Sequence, residues 1–280
     1  PAFISIDQEG GMVTRITNGV TVFPGNMAVA ATSDPKNAYK IGEIMGKELR
    51  ALGINMNLSP VLDVNNNPLN PVIGVRSYGE NPEKVAEFGI SYIESLQKNR
   101  VIATAKHFPG HGDTRVDSHI DLPIIDHDMK RLQRIELHPF KAAIDIGIDA
   151  IMTAHIIFKA LDPQTPATLS HNVITGLLRR QLGFKGLVIT DCMEMKAIDT
   201  YFGTVNAAVM AIKAGADIVL ISHTKEKQLG AVKAIKEAVL NGDIPIETID
   251  RAVQRIIDIK YKYNIIDCPY PNRQVIYDTL

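Results

Sequence analysis

Six short apolar runs, each followed by a stretch of helical period, constrain this chain more than any other feature. Residues 3–7, 55–58, 102–106, 150–153, 187–191 and 218–222 are too short for helices and nearly continuous in hydrophobicity. That is how parallel strands covered on both faces read. The stretches between them carry helix signals. Asp34 and Pro35 open one, with Ala38, Ile41, Met45 and Leu52 on a stripe before Gly53. Asn81 and Pro82 open another, with Val85, Phe88, Tyr92 and Leu96. A third runs from Ser170 to Gly183, and a fourth aligns Leu229, Val232, Ile235 and Val239. A residue that caps, then a proline in the first turn, then a glycine at the end, is the expected punctuation.

Repeated βα units close into a barrel or open into a doubly wound sheet. The runs finish at or near Asp7, Asp63, Lys106 and His107, His155, Asp191 and His223. Ionisable residues at so many strand ends fit a barrel, in which every βα loop feeds one site. An open sheet gathers them at a single switch point. The predicted fold is therefore α/β, a (β/α)8-type, TIM-like barrel over residues 1–265. Residues 266–280 are expected as a C-terminal extension or linker. Six strands are two short of eight and Pro1 is no initiator methionine, so one or more N-terminal strands are expected upstream. The compartment, cytoplasmic or exported, stays open on this basis. A last helix within 244–265 is expected to turn Ile249, Val253, Ile256 and Ile257 toward the barrel.

Composition excludes some partners. The formal net charge is −1, with no basic tract, so neither nucleic acid nor an anionic membrane is expected as the main partner. No run approaches the roughly 18 apolar residues of a membrane helix. Cys192 and Cys268 do not read as a disulfide framework. Nothing in the sequence sets the oligomeric state.

The densest chemistry lies in "KHFPGHGDTRVDSHIDLP", residues 106–123, which holds three histidines and three aspartates. Metal binding is one use for them, through His107, His111 and His119 with Asp113 or Asp117. The spacing matches no standard metal signature, so no metal and no other cofactor is expected. Plain solvation is another, but charges directly after a buried strand cost desolvation unless they are used. Acid–base catalysis is the third. Asp117, two residues before His119, can hold one imidazole nitrogen and leave the other to exchange a proton. Asp191, ending "GLVITD", is the best placed nucleophile, because a carboxylate at the end of a buried strand is held firmly.

"KHFPGHGDTRVDSH" followed by "ITDCMEM" resembles the β-N-acetylhexosaminidases of glycoside hydrolase family 3. "IDQEGGMVTR" and "GVRSYG" are similar to two further blocks of that family. The resemblance runs from Asp7 to about Ser222. It implies a metal-free barrel that removes terminal β-linked N-acetylglucosamine with retention. It also implies Asp191 as nucleophile, His119 as acid/base and Asp117 as its orienting partner. Asp7, Arg15, Arg76, Lys106 and His107 would then hold the sugar, with Asp7 paired to the cations. His111 and His155 are expected to be structural. The chain departs from the family at Cys192, where Asp or Ser is frequent, and at Met12, where a basic residue is common. Family members acting on plain glucosides usually take their acid from a second domain. None is evident here, which together with the DSH loop favours an N-acetylglucosaminide. A phosphorylase using phosphate as acceptor, a metal-dependent hydrolase and a catalytically inactive sugar-binding barrel are the alternatives.

Overall fold

The computed structural model describes residues 1–267 and 271–280. The chain begins β1 (Ser5–Ile6), α1 (Asn26–Ala30), α2 (Lys36–Ala51), β2 (Met56–Asn57), α3 (Pro82–Lys98) and β3 (Ile102–Phe108). Then come β4 (Ile124–Ile125), α4 (Met129–Arg134), α5 (His138–Asp145), β5 (Ala150–Thr153), β6 (Ile157–Phe158) and a π-helix (Asn172–Gln181). It ends with β7 (Leu187–Cys192), α6 (Lys196–Phe202), α7 (Thr204–Ala214), β8 (Ile218–Leu220), α8 (Lys225–Leu240), α9 (Ile246–Lys262) and α10 (Arg273–Thr279).

The six expected strands are β1, β2, β3, β5, β7 and β8. They pair in that order, every pair parallel. The sheet curls into a half-barrel of TIM type with helices around it, and among the described residues no ladder joins β8 back to β1. The strands β4 and β6 were not foreseen. They form a separate parallel pair of two residues each, too short to leave a period in the sequence.

Alternation along the strands sorts two faces. Ala103, Ala105, Ile151 and Val188 point outward into a core shared with the helices. Ile102, Ala150, Met152, Leu187 and Ile189 point inward with Met56 and Leu58. Between α2 and α3 the packing is helix on helix, through Met45, Leu49, Tyr92 and Leu96, all buried. The Tyr92 hydroxyl is satisfied there: it accepts from Asn57 Nδ2 at 2.9 Å and reaches Met45 Sδ at 3.0 Å. The helix starts follow the sequence. Asn81 accepts from the Lys84 amide at 2.8 Å with Pro82 next in line, and Asp34 accepts from the Lys36 amide at 3.0 Å, which satisfies donors a helix cannot pair internally.

Helix α9 lies against the inner face. Ile256, Ile259 and Tyr263 join the cluster of inward strand residues, together with Phe3 and Ile218. Its last turn is fastened at the amino ends of the strands. Lys262 Nζ and the Tyr263 hydroxyl both donate to Asp149, the residue before β5, at 2.7 and 2.5 Å. The helix therefore closes the barrel floor, opposite the strand tips. The stripe expected to face the barrel needs correction. Ile249, Ala252, Ile256 and Ile259 are turned inward, while Val253 and Ile257 are exposed. Spacings of three and four select the first set, and β-branched residues one position away fall off the stripe.

Residues 268–270 of the expected linker, Cys268 among them, lie outside the described residues. The residues just beyond them include α10. No helix among the described residues is long and apolar enough to cross a membrane.

Candidate active site

The strands of the sheet converge on one cavity of about 250 Å³. Asp7 and Glu9 follow β1, Leu58 follows β2, and β3 supplies Lys106 and His107. Met152 comes from β5, Asp191 and Cys192 from β7, Leu220 and Ser222 from the end of β8. Arg15, Arg76, His111, Ser118 and His119 reach it from loops. Of the sequence-predicted site residues, Asp7, Arg15, Arg76, Lys106, His107, His119 and Asp191 line this one space. Asp117 meets it through His119.

The loop after β1 is built by Gln8. Its side-chain oxygen accepts from the amides of Arg15 and Ile16 at 2.8 and 3.1 Å, and its amide nitrogen donates to the Ile16 carbonyl. Gly11 sits at φ +59°, and a Cβ there would lie 2.7 Å from Gly25 Cα, so "EGG" permits both the turn and the close approach. The loop sets Glu9, which sequence reasoning missed, at the centre of the charges. Arg76 grips Glu9 with two bonds of 2.9 and 2.8 Å, and Lys106 Nζ lies 2.6 Å from Glu9 and 2.7 Å from Asp7. The expected pairing of Asp7 with all three cations reduces to Lys106. Arg15 is exposed and has no ion pair among the described residues, so its guanidinium is available to a ligand.

Burial alone would raise the Glu9 carboxyl. Lys106 and Arg76 outweigh it and hold the group at about 2, against an ordinary 4.5. Burial likewise works against Lys106 and Arg76, yet Glu9, helped by Asp7 at Lys106, raises both. The sign follows from linkage: a depressed carboxyl stabilises the fold above its unfolded pKa and loses that contribution as pH falls toward 2. At neutral pH it is worth about 3 kcal/mol. Glu9→Gln leaves two buried cations short of a partner, so a loss of about 3–5 kcal/mol is expected. Urea unfolding at pH 7 and pH 3 checks it. The variant's deficit should shrink at the lower pH, and an unchanged deficit would contradict this account.

A second network fixes the histidine loop. Asp63, at the end of the second βα approach, is fully buried and was not singled out as a site residue. Its carboxylate accepts from His107 Nδ1 at 2.7 Å and from the amides of His107 and His111 at 3.1 and 2.6 Å. Burial would raise Asp63, but His107, His111 and these bonds hold it below its ordinary value. Gly112 allows the loop to press on the chain after β2; a Cβ there would lie 1.7 Å from the Val64 carbonyl. His111 is buried between two hydroxyls, Thr114 on Nδ1 at 2.9 Å and Ser118 on Nε2 at 3.0 Å. Burial, then the field of His107, lower it to about 4, so it is neutral at working pH. A structural role for His111 fits what is seen.

Ser118 is buried and pinned from both sides, by His111 and by the Ala197 amide, which donates to the Ser118 carbonyl at 3.2 Å. Its neighbours form the expected dyad. Asp117 Oδ1 accepts from His119 Nδ1 and from the His119 amide, both at 2.8 Å. The His119 ring is 63% exposed, so it stands at the mouth of the cavity with Nε2 left for a proton.

Asp191, on β7, lines the same cavity. Its Oδ1 accepts from the Cys192 amide at 2.7 Å. Burial would raise its carboxyl, and His155, His107, the Cys192 amide and Lys106 together hold it below the ordinary range. His155 is buried, its Nε2 donating to the Cys192 carbonyl at 3.0 Å, and burial lowers its proton affinity against the pull of Asp191. It props the strand end that carries the nucleophile candidate. Asp113, His127 and Glu136 also approach one another. The Arg131 guanidinium lies 3.6 Å from Asp113 and 3.3 Å from Glu136 and meets part of the negative charge there.

Curled sheet, ionisable strand tips and a polar cavity at those tips define a protein of the (β/α)-barrel type with its candidate site at the carboxyl ends of the strands. Residues 1–259 match the family model described as "Glycosyl hydrolase family 3 N terminal domain", and the chain belongs to that family. It is 44% identical over 237 residues to beta-hexosaminidase A of Pseudoalteromonas piscicida, covering 79% of this chain and 40% of that protein. A beta-hexosaminidase of Nitrosomonas eutropha is 35% identical over 229 residues, covering 80% of this chain and 65% of the relative. Among solved structures, a glycoside hydrolase family 3 beta-N-acetylglucosaminidase from Paenibacillus sp. str. FPU-7 superposes with a TM-score of 0.95 at 51% identity. The match covers 100% of this chain and 55% of that one. The chain thus spans about half the length of such relatives.

Proposed function

We propose that the protein is a retaining, exo-acting β-N-acetylglucosaminidase. It removes terminal β-linked N-acetylglucosamine from cell-wall or chitin-type saccharides, with residues 1–265 as catalytic domain and 266–280 as its extension. The observation that carries this is one small cavity lined by both Asp191 and His119, with His119 Nδ1 already held by Asp117. Names of the matched relatives point the same way.

In the first step an Asp191 oxygen attacks the anomeric carbon. The bond to the leaving oxygen breaks, and His119 gives that oxygen its proton from Nε2. In the second, neutral His119 takes a proton from water as the water oxygen displaces Asp191. Two inversions give retention. Asp117 fixes the tautomer and steadies the charged imidazole. Arg15 and the Lys106–Asp7 pair offer donors and an acceptor to sugar hydroxyls. Glu9 holds Arg76 and Lys106 in place.

The test is hydrolysis of a chromogenic β-N-acetylglucosaminide by the purified protein, with and without EDTA and with and without phosphate. Activity indifferent to both, releasing the free sugar, is expected. Loss in EDTA would indicate a metal enzyme, and sugar 1-phosphate as product would indicate phosphate as acceptor. Binding of the sugar without turnover would leave only a carbohydrate-binding barrel.

Ser118 positions the dyad rather than touching substrate. Ser118→Ala removes the bond to His111, worth about 1 kcal/mol, so kcat is expected to fall roughly five- to tenfold. KM for the sugar should stay within about twofold. A rise in KM with unchanged kcat would assign Ser118 to sugar binding instead.

A further inference from the structure

A second cavity, also of about 250 Å³, lies at the amino end of β8, away from the strand tips. Arg179 and Arg180 reach it from the end of the π-helix, Arg251 and Arg255 from α9, with Asp217 and Thr248. It shares no lining residue with the candidate active site. Asp217 is the single carboxylate in its wall, and it is fully engaged. Arg179 Nη2 donates to Oδ2 at 2.5 Å, Arg255 Nη1 to Oδ1 at 2.8 Å, and the Val188 amide to Oδ2 at 2.8 Å.

Four guanidinium groups thus face one carboxylate. Arg180 and Arg251 have no acidic partner among the described residues. Arg179 and Arg255 suffice to hold Asp217, so Arg180 and Arg251, both exposed, leave positive charge at this cavity that no carboxylate among the described residues meets. Burial and the neighbouring Arg255 lower the proton affinity of Arg179 against the pull of Asp217, as expected where cations crowd. Guanidinium forks match tetrahedral oxyanions with paired bonds. The small volume suits a compact group. The chain's overall charge of −1 means that this concentration is local.

We infer that this arginine cavity is a binding site for a phosphate dianion, free or carried as a phosphomonoester, built at the floor of the barrel by the π-helix and α9. Arg180 and Arg251, which are exposed and unpaired, supply the contacts to the ligand. Arg179 and Arg255 hold Asp217 and form the back wall.

Calorimetric titration of the whole protein with inorganic phosphate, and separately with glucose 6-phosphate, tests it at an ionic strength fixed with chloride. Saturable binding with a Kd below about 10 mM is expected. The Arg180→Gln, Arg251→Gln double variant, which leaves the Asp217 pairs intact, should weaken it at least about tenfold. Arg15→Gln, at the other cavity, should not change it. If the double variant fails to fold, each single variant should still weaken binding about threefold or more. Equal affinity for the two probes assigns free phosphate, and clearly tighter binding of the ester assigns a phosphorylated small molecule. No saturation, or a Kd unchanged by the Arg180 and Arg251 substitutions, overturns the inference.

Discussion

Asp191→Ala is expected to lower kcat by more than about 10⁴-fold on every β-N-acetylglucosaminide, whatever its leaving group. That exceeds the upper end of what acid–base assistance supplies, because the variant has no atom to form the glycosyl-enzyme bond. The loss should not depend on aglycone acidity, since the missing group acts at the anomeric carbon. Thermal unfolding measured alongside separates lost chemistry from lost structure. Asp191 accepts one hydrogen bond, from the adjacent Cys192 amide, so the variant should fold. A correctly folded Asp191→Ala protein that keeps more than about one part in a hundred of wild-type kcat would remove Asp191 from its role.

His119→Ala should behave differently, and the difference is diagnostic. With a saccharide leaving group, kcat/KM is expected to fall about 10²–10⁴-fold, the range for a positioned proton donor. With a nitrophenyl leaving group, which departs without a proton, the first step should be nearly spared. The second step still lacks its base, so the glycosyl-enzyme should accumulate and give a burst. Azide, a nucleophile that needs no deprotonation, should restore turnover and yield the glycosyl azide. Equal losses on both substrates, with no azide effect, would show that His119 does not carry the proton. The ring is exposed and held only through Asp117, so its removal should cost little stability.

The barrel was legible because its signals are local. Each strand is a short apolar run, the starts of α2 and α3 carry capping residues, and all six strands lie within about two residues of expectation. The remaining misses are non-local or too small. β4 and β6 contain two residues each. The register of α9 depends on which stripe meets the barrel floor, and two apolar stripes, one shifted by a single position, competed in its sequence.

The site divides the same way. Asp117 and His119 were singled out from their spacing and Asp191 from its place at a strand end, and the structure bonds the first two and sets His119 and Asp191 on one cavity. Glu9 and Asp63 were not, because each works through partners far along the chain. Glu9 meets Arg76 67 residues on, and Asp63 meets His107 44 residues on. A buried acid with a distant cation leaves no periodic mark. The available signals were the run "DQEGG" and the position of Asp63 beside the second strand. Arg15 departs from expectation in one respect: it was read as a sugar-holding residue paired with Asp7, and it lines the cavity with no ion pair among the described residues.

Helix α9 backs the inner face of the sheet, behind Leu58, Met152 and Leu220 of the cavity. For the exo-acting reaction proposed above, that floor implies an order of departure. The cleaved saccharide, on the exposed side where His119 stands, leaves first and the trimmed sugar last. Free N-acetylglucosamine is then expected to compete with incoming substrate for the empty enzyme.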